Sequence, residues 1–437
     1  MSPSARSHLF TAPSALMFWF GVALVFSTAL LTSHSRAAEI PLTLATVMAP
    51  FLAWRVGSGF WLHAGARLLL LLFACYWLPM VLAVPDAVHA DKSLHQTLAA
   101  IRFPLAGLTF LWWVRIGNQL TIIYRLLAYL VVLWCIDAWI QQFFGMNLLG
   151  MVDEYSRLSG VFGNDYIRLG LYSALLLPFL LHQLHAPKAS SRYRVVIAIS
   201  CLLVLGMIWV SGTRSGWIIA GFSVLLWLWA QRKQLLASRR QQILALASAG
   251  LGVLVLLASS LWVPSVQERW QQSLTILSGD GDALNAALSF RLPIWQQAWQ
   301  MAQDFPINGV GPRGFRTVYK ERADADDYFV AKEGIGASHA HQLQLGIVTE
   351  TGLIGLFGFL LGGYIMWRSW RDIPQARRCI AAPPALALLA LVFPFNSHLD
   401  AYASSAALMF WWLLSLYVVA WNIACFGHGA AAEKPRS

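Results

Sequence analysis

The sequence has few charged residues. Only 12% of its 437 residues are Asp, Glu, Lys or Arg, whereas 58% are hydrophobic. Apolar runs of about 17 to 25 residues recur along the chain, which is the length that crosses the hydrocarbon core of a bilayer as an α-helix. No soluble domain is needed to explain this composition. The sequence therefore predicts an all-α polytopic membrane protein.

Cysteine is also scarce, with five residues in the chain. All five lie in or beside apolar runs, and none lies in the long polar segment 265–337. A disulfide framework or a metal cluster needs several cysteines at suitable spacing, which this sequence lacks. The five residues are therefore interpreted as small apolar packing groups.

Breaks in the hydropathy divide the apolar part of the chain into about twelve transmembrane helices. The predicted spans are 15–32, 40–54, 68–84, 98–114, 120–142, 168–184, 195–210, 217–230, 243–263, 340–367, 380–395 and 404–426. The resulting organisation is nine spans within 1–264, a large polar loop at 265–339, three spans within 340–426 and a short tail at 427–437.

The positive charges of the short loops orient these spans. If the N-terminus is cytoplasmic, most loop Lys and Arg residues fall on the cytoplasmic side, and the opposite short loops hold only Arg36, Lys92, Arg157 and Arg214. The positive-inside rule then predicts that both termini are cytoplasmic and that the loop 265–339 is periplasmic. Because topology explains most of the net charge of +11, we expect membrane lipids and no nucleic acid as partners.

Two histidines lie where the tenth predicted span begins, in Ser338-His339-Ala340-His341-Gln342. A histidine can accept a proton from a hydroxyl nucleophile near neutral pH, so His339 and His341 are candidate general bases. Two alternatives stay open: the histidines cap the span, or they bind a metal. The metal interpretation is disfavoured because no nearby cluster of Cys, Asp or Glu completes a set of ligands.

Two arginines each have two interpretations. Arg214 lies in the outer turn between the seventh and eighth spans, with no acidic residue within seven positions. It can bind a phosphate as a fork-shaped donor, or it can snorkel to the membrane interface. Arg291 lies on a predicted helix, 289–301, where it can stack on Trp295 as a cation–π pair. If the two arginines meet in the fold, they can instead grip a pyrophosphate together.

The tenth span carries an acidic residue and a face of small residues. Glu350 lies nine residues after His341, or about 13 Å along a helix, so the two do not touch within that helix and a structural role is favoured. Four glycines of this span recur at three- and four-residue steps, which predicts that the span packs closely against another helix. These residues are Gly352, Gly355, Gly358 and Gly362.

Five segments follow one another on the predicted outer side of the chain. They are 157–164 (RLSGVFGN), 213–217 (TRSGW), 289–295 (SFRLPIW), 304–311 (DFPINGVG), and His341-Gln342 followed after nine residues by 352–355 (GLIG). Together they resemble motifs of the bacterial O-antigen ligases, whose superfamily also contains O-antigen polymerases and protein O-oligosaccharyltransferases. Gln342 stands where Asn is commoner, which is a mild change because both amides donate and accept hydrogen bonds.

The resemblance implies a membrane-embedded glycosyltransferase of the C type that is inverting and needs neither metal nor cofactor. It would transfer O-antigen polysaccharide from undecaprenyl pyrophosphate to the lipid A core oligosaccharide, on the periplasmic side of the bacterial inner membrane. The implied site residues are His341 and His339 as alternatives for the base, Arg214 and Arg291 for the pyrophosphate, and Arg157 and Arg313 as further candidates.

Alternative functions stay open. A polymerase of the same superfamily would use the same donor but extend a second undecaprenyl-linked chain. The chain lacks the extra C-terminal region of the protein O-oligosaccharyltransferases, which favours a ligase. A transporter of lipid-linked sugars could use boundary arginines along its path, but it should show paired half-repeats, and the sequence contains no convincing internal repeat.

Overall fold

The computed structural model describes residues 14–33, 37–152, 158–163, 166–186, 189–235, 288–324, 327–334, 336–396 and 400–427, with a few single residues or pairs between 266 and 285. Regular structure in these ranges is helical, apart from one isolated bridge between Met146 and Val152. The predicted all-helical class is therefore confirmed for the described part of the chain.

The α-helices of the described ranges are numbered in chain order. They are α1 (Ala15–Leu30), α2 (Glu39–Val56), α3 (Gly59–Leu62), α4 (Ala64–Ala83), α5 (Ala90–Ala99), α6 (Arg102–Trp113), α7 (Gly117–Phe144), α8 (Tyr166–Gln183), α9 (Ser191–Val210), α10 (Arg214–Leu235), α11 (Arg291–Asp304), α12 (Phe315–Arg322), α13 (Tyr328–Glu333), α14 (Leu343–Asp372), α15 (Arg378–Leu391) and α16 (Ser404–Phe426).

Six of these helices are long and apolar enough to cross a membrane, namely α1, α4, α7, α9, α14 and α16. They agree with the prediction of a polytopic membrane protein. Five further predicted spans coincide with helices that do not reach this length or hydrophobicity, namely α2, α6, α8, α10 and α15. The predicted span 243–263 lies outside the described residues.

The fourth predicted span, 98–114, differs from the structure. Helix α6 begins only at Arg102 and has 12 residues, which is about 18 Å and short of a hydrocarbon core of about 30 Å. The residues before it form the separate helix α5, which buries Ser93 and Thr97. The guanidinium of Arg102 pairs with the Glu39 carboxylate at 3.2 Å. This ion pair anchors the start of α6 beside the start of α2.

Helix α16 lies at the centre of the bundle and is the most deeply buried of the six apolar helices. It packs against α15, α6 and α4, and the indole nitrogen of Trp412 donates to the Val25 carbonyl of α1 at 3.1 Å. Of the four glycines predicted to pack against another helix, Gly358 and Gly362 of α14 lie against Cys75 of α4. A Cβ added to Gly358 would lie 2.2 Å from the Cys75 carbonyl oxygen.

Two segments that were predicted to face outward, 88–93 and 310–312, meet at one end of the bundle. The Val88 amide donates to the Val310 carbonyl at 3.1 Å, and the Ser93 hydroxyl donates to the Pro312 carbonyl at 3.0 Å. A separate small core lies beside this junction, between α11, α12 and the start of α14. Its members are Ile294, Ala298, Met301, Val310, Phe315, Val318, Tyr319, Ala337 and Ala340. The outer segments therefore form a folded unit on top of the helices.

Candidate active site

Helix α14 is broken at Gly352, where φ is 63° and ψ is −159°. The break removes backbone partners within the helix, and the segment 306–311 replaces them. The four bonds are Val310 N to Thr349 O (2.9 Å), Gly311 N to Glu350 O (3.0 Å), Leu353 N to Pro306 O (2.8 Å) and Ile354 N to Ile307 O (3.3 Å). Irregular backbone within a membrane helix is tolerated when protein satisfies its polar groups in this way. Two of the sequence motifs, 304–311 and 341–355, are therefore docked on each other.

Glu350 connects this break to Arg313. Its side chain is almost fully buried, with 2% exposure, and its Oε2 accepts a hydrogen bond from the Arg313 amide at 2.8 Å. Arg313 has a left-handed backbone, with φ at 66°. The carboxyl of Glu350 therefore holds the Arg313 backbone in an uncommon conformation, which agrees with a structural role for Glu350.

The two histidines lie side by side just before α14. Their ring centroids are 4.0 Å apart, and the Ser338 hydroxyl lies 2.8 Å from Nδ1 of His339. Two imidazolium cations at this separation would repel each other, so the pair favours at most one proton at a time. Such a pair can accept a single proton and keep it near the reacting oxygen.

Several charged groups act on His339. Burial lowers the pKa of His339 below its ordinary value of 6.5, the positive charges of Arg313 and Arg291 lower the pKa further, and the negative charge of Asp400 raises it. The lowered pKa keeps His339 neutral, and thus able to accept a proton, at neutral pH. The same interactions place Arg313, Arg291 and Asp400 around one histidine.

Arg291 and Arg214 also meet in the structure. Burial together with the positive charge of Arg214 lowers the pKa of Arg291 to about 10. Arg291 begins α11 and Arg214 begins α10, so each of the two guanidinium groups belongs to the first residue of a helix. Helix N-termini carry partial positive charge, and an anion is stabilised where such ends meet.

An aromatic bridge connects the arginine side of the site to the histidine side. The ring of Phe290, which precedes Arg291, stacks on Tyr328 with centroids 4.3 Å apart. The next residue, Phe329, lies 6.5 Å from His341 in a stacked arrangement. Helix α13 thereby fixes the distance between the two halves of the site.

Four non-glycine residues of the described ranges have a positive φ. They are Ser289 (58°), Phe290 (59°), Arg313 (66°) and His341 (52°). The left-handed region is uncommon for such residues and costs about 1 to 3 kcal/mol at each position. The four positions flank or belong to the predicted site residues, so the surrounding contacts hold the site in a strained conformation.

Gln342, which follows His341 directly, is the N-cap residue of α14. Its side-chain oxygen accepts a hydrogen bond from the Leu345 amide, and its nitrogen donates to the Pro394 carbonyl at 3.2 Å. The amide thus caps the helix and ties it to the segment that leads to Asp400. Glutamine performs here the donor and acceptor roles expected of the commoner asparagine.

The structure brings together five of the six predicted site residues and adds one that the sequence analysis missed. Arg157 lies outside the described residues. Asp400 is the additional residue. It is 97% buried, and its Oδ1 accepts a hydrogen bond from the Tyr402 amide at 3.1 Å. A carboxylate within an apolar stretch is a functional signal by itself and could have identified Asp400.

Within the described ranges, no group of three His, Cys, Asp or Glu residues is arranged to hold a metal ion.

Comparison with known families agrees with this geometry. Residues 199–360 match the family described as O-Antigen ligase. The matched region includes both histidines, three of the site arginines and the broken part of α14. This match supports the resemblance to the superfamily of O-antigen ligases and polymerases. No curated protein matches it. Members of this family are glycosyltransferase-like enzymes of the membrane, and the family implies a lipid-linked polysaccharide as substrate.

Proposed function

We propose that the chain is an O-antigen ligase. It transfers O-antigen polysaccharide from undecaprenyl pyrophosphate to a hydroxyl of the lipid A core oligosaccharide, with inversion and without a metal. The observation that carries the proposal is the presence of an adjacent histidine pair together with three arginines at one end of the helix bundle. A hydroxyl acceptor needs a base, and a pyrophosphate leaving group needs positive charge.

In the proposed reaction, one imidazole accepts the proton of the acceptor hydroxyl as its oxygen attacks the anomeric carbon. The bond from that carbon to the pyrophosphate oxygen breaks, and undecaprenyl pyrophosphate leaves as an anion. Arg291 and Arg214 stabilise the charge that develops on it. His341 is favoured as the base because it occupies the histidine of the family motif, and His339 is the alternative. The neutral partner histidine then lies 4.0 Å away and shares the proton.

The proposed architecture has twelve membrane spans, with 243–263 as the ninth, and follows the C type of glycosyltransferase. Both termini lie in the cytoplasm of a bacterial inner-membrane protein, and the loop 265–339 with the site lies in the periplasm. Two features support this orientation: the positive charges of the short loops, and the junction of the predicted outer segments at one end of the bundle.

The test is transfer by the purified protein, with lipid-linked O-antigen as donor and lipid A core as acceptor. Arg214→Ala and Arg291→Ala should each lower turnover by about 10² or more, and Lys should rescue only partly because it lacks the planar fork. Arg232→Ala is the matched control, since this exposed arginine stacks on Trp229 in α10, toward the end opposite Arg214. Near-normal transfer by both site variants would contradict the pyrophosphate role.

The same assay separates a ligase from a polymerase. A ligase modifies lipid A core, whereas a polymerase lengthens the undecaprenyl-linked chain and leaves the core untouched. In cells, loss of a ligase should leave long chains on the undecaprenyl carrier, while loss of a polymerase should leave lipopolysaccharide with a single O-antigen unit. Transfer only to undecaprenyl-linked sugar would overturn the ligase proposal.

A further inference from the structure

A cavity of about 670 Å³ lies beside the site, between α5 and α12. Its lining residues are Asp91, Lys92, His95, Gln96, Arg313, Arg316, Thr317 and Lys320, and we call it the basic groove. Four of these side chains are cationic and one is a carboxylate. Only Arg313 among them belongs to the site described above. The groove is therefore an additional region of positive charge that the transfer reaction does not by itself require.

Three acidic residues near the groove have their side chains engaged elsewhere. Asp304 pairs with Arg322. Asp327 caps α13 and accepts a hydrogen bond from the Tyr319 hydroxyl at 2.8 Å. Glu321 lies 4.0 Å from the imidazole of His89. These carboxylates thus do not neutralise the groove.

The cations of the groove remain available to a ligand. Among the residues that the structure describes, none of the side chains of Lys92, Arg316 and Lys320 forms an ion pair. Lys92 and Lys320 are exposed, and Arg316 is partly exposed. Cations that gather in a concave surface and outnumber its carboxylates, as four do here against Asp91, bind phosphate groups by charge-assisted hydrogen bonds.

The groove has an apolar border on one side. On α5, Leu94 and Leu98 are 46% and 55% exposed, and they lie one helical turn apart. By helix geometry their face adjoins the one that carries Asp91 and His95. An amphiphile can therefore place its acyl chains along these leucines and its charged head group in the groove.

The groove is joined to the catalytic end through the backbone. Gly311 approaches α5 so closely that an added Cβ would lie 2.7 Å from the Ser93 hydroxyl oxygen. The Gln96 side chain donates to the Tyr402 carbonyl at 3.0 Å, two residues from Asp400. Arg313 belongs to both the groove and the histidine environment. A head group held in the groove is thereby placed next to the proposed base.

We infer that the basic groove binds phosphate groups of the acceptor glycolipid and so positions its hydroxyl for transfer. This inference rests on the proposed ligase function, because it assigns the acceptor side of the same site. Anionic phospholipid head groups carry the same phosphate chemistry and are the competing source of ligand. The donor pyrophosphate is assigned to Arg214 and Arg291, neither of which lines the groove.

The experiment uses the triple variant Lys92→Gln, Arg316→Gln and Lys320→Gln, with rough lipopolysaccharide that lacks O-antigen as acceptor. The KM for this acceptor should rise by roughly tenfold or more because three charged contacts are lost, while kcat and the KM for the donor stay the same. With chemically dephosphorylated acceptor, the wild type should already show the raised KM, and the triple variant should add little to it. Arg322→Gln is the control, since it removes one charge from α12 outside the groove.

Binding of rough lipopolysaccharide to the full chain in nanodiscs keeps this inference separate from the ligase proposal. If the wild type binds it more tightly than the triple variant does but transfers nothing, the groove stands and the ligase proposal fails. An unchanged acceptor KM in a wild type that does transfer would overturn the groove. An increase in donor KM, or equal effects on phosphorylated and dephosphorylated acceptor, would also overturn it. If the binding measured for the triple variant differs from that of the wild type in phosphatidylglycerol nanodiscs but not in phosphatidylcholine nanodiscs, the groove binds phospholipid and the inference is wrong.

Discussion

Replacement of Gly352 by alanine tests whether the break in α14 builds the site. A Cβ at this position would lie 2.1 Å from the carbonyl oxygen of Ile307 and 2.7 Å from the amide nitrogen of Asn308. Both atoms belong to backbone, so no side chain can rotate away to relieve the contact. The segment 306–311 must therefore move away from the helix.

The expected cost has two parts. The backbone at Gly352, with φ at 63° and ψ at −159°, lies in a region that is essentially restricted to glycine and costs a residue with a Cβ about 1 to 3 kcal/mol. Moving the segment also weakens the two hydrogen bonds that flank Gly352, from Leu353 to Pro306 and from Ile354 to Ile307, at about 0.5 to 1.5 kcal/mol each. The total is about 2 to 6 kcal/mol. At about 1.4 kcal/mol per factor of ten, the population of the docked state falls by roughly 30-fold to 10⁴-fold.

The assay is thermal unfolding of the purified protein in detergent, together with limited proteolysis of the outer unit. Gly352→Ala should lower the Tm, expose 304–322 to protease and abolish transfer. Gly363→Ala is the matched control in the same helix, because a Cβ there meets no atom within 4 Å and alanine favours a helix interior over glycine by up to about 1 kcal/mol. Equal melting and digestion of the two variants would refute the assignment of the break as the docking element.

Three further predictions follow from the site. Arg313→Asn removes a positive charge and should raise the pKa of His339, whereas Asp400→Asn removes a negative charge and should lower it. If His339 is the base, the acidic limb of the kcat/KM profile should move to higher pH in Arg313→Asn and to lower pH in Asp400→Asn. A shift of both variants in the same direction would contradict this role of His339. Cysteines at Lys320 and Arg232 should react with a membrane-impermeant thiol reagent from opposite sides, Lys320→Cys from the periplasm; labelling of both from one side would overturn the topology. Transfer should persist in EDTA because arginines supply the positive charge, and its loss on chelation would revive a metal role for the histidines.

Much of the site could be predicted because residue types and the positive charges of short loops can both be read directly from the local sequence. His339, His341, Arg214 and Arg291 were identified from their residue types beside apolar runs, and the charge asymmetry placed all of them on one side of the membrane. The sequence patterns do not contain the distances between segments. Whether Arg291 interacts with Arg214 depends on the tertiary fold, and the residue spacing within either segment gives no information about it.

The parts that could not be predicted depend on backbone conformation and long-range contacts. Gly352 was assigned to helix packing with the other glycines of α14, since the positive φ that breaks the helix leaves no trace in their spacing. Asp400 lies 61 residues after His339 and has no neighbouring motif. The start of α6 at Arg102 was missed because the apolar run continues across the boundary between α5 and α6.

The hydrogen bonds that join α5 to the outer unit have a consequence for biogenesis. The site needs Val88 and Ser93 from an early part of the chain, 306–350 from a middle part, and Asp400 and Tyr402 close to its end. Because the ribosome synthesises these segments in order, the first segment is inserted in the membrane before the segments that it contacts exist. A nascent or truncated chain that stops before residue 400 therefore contains the arginines of the proposed donor site but has an unfinished site, so incomplete copies should bind lipid-linked sugar without consuming it.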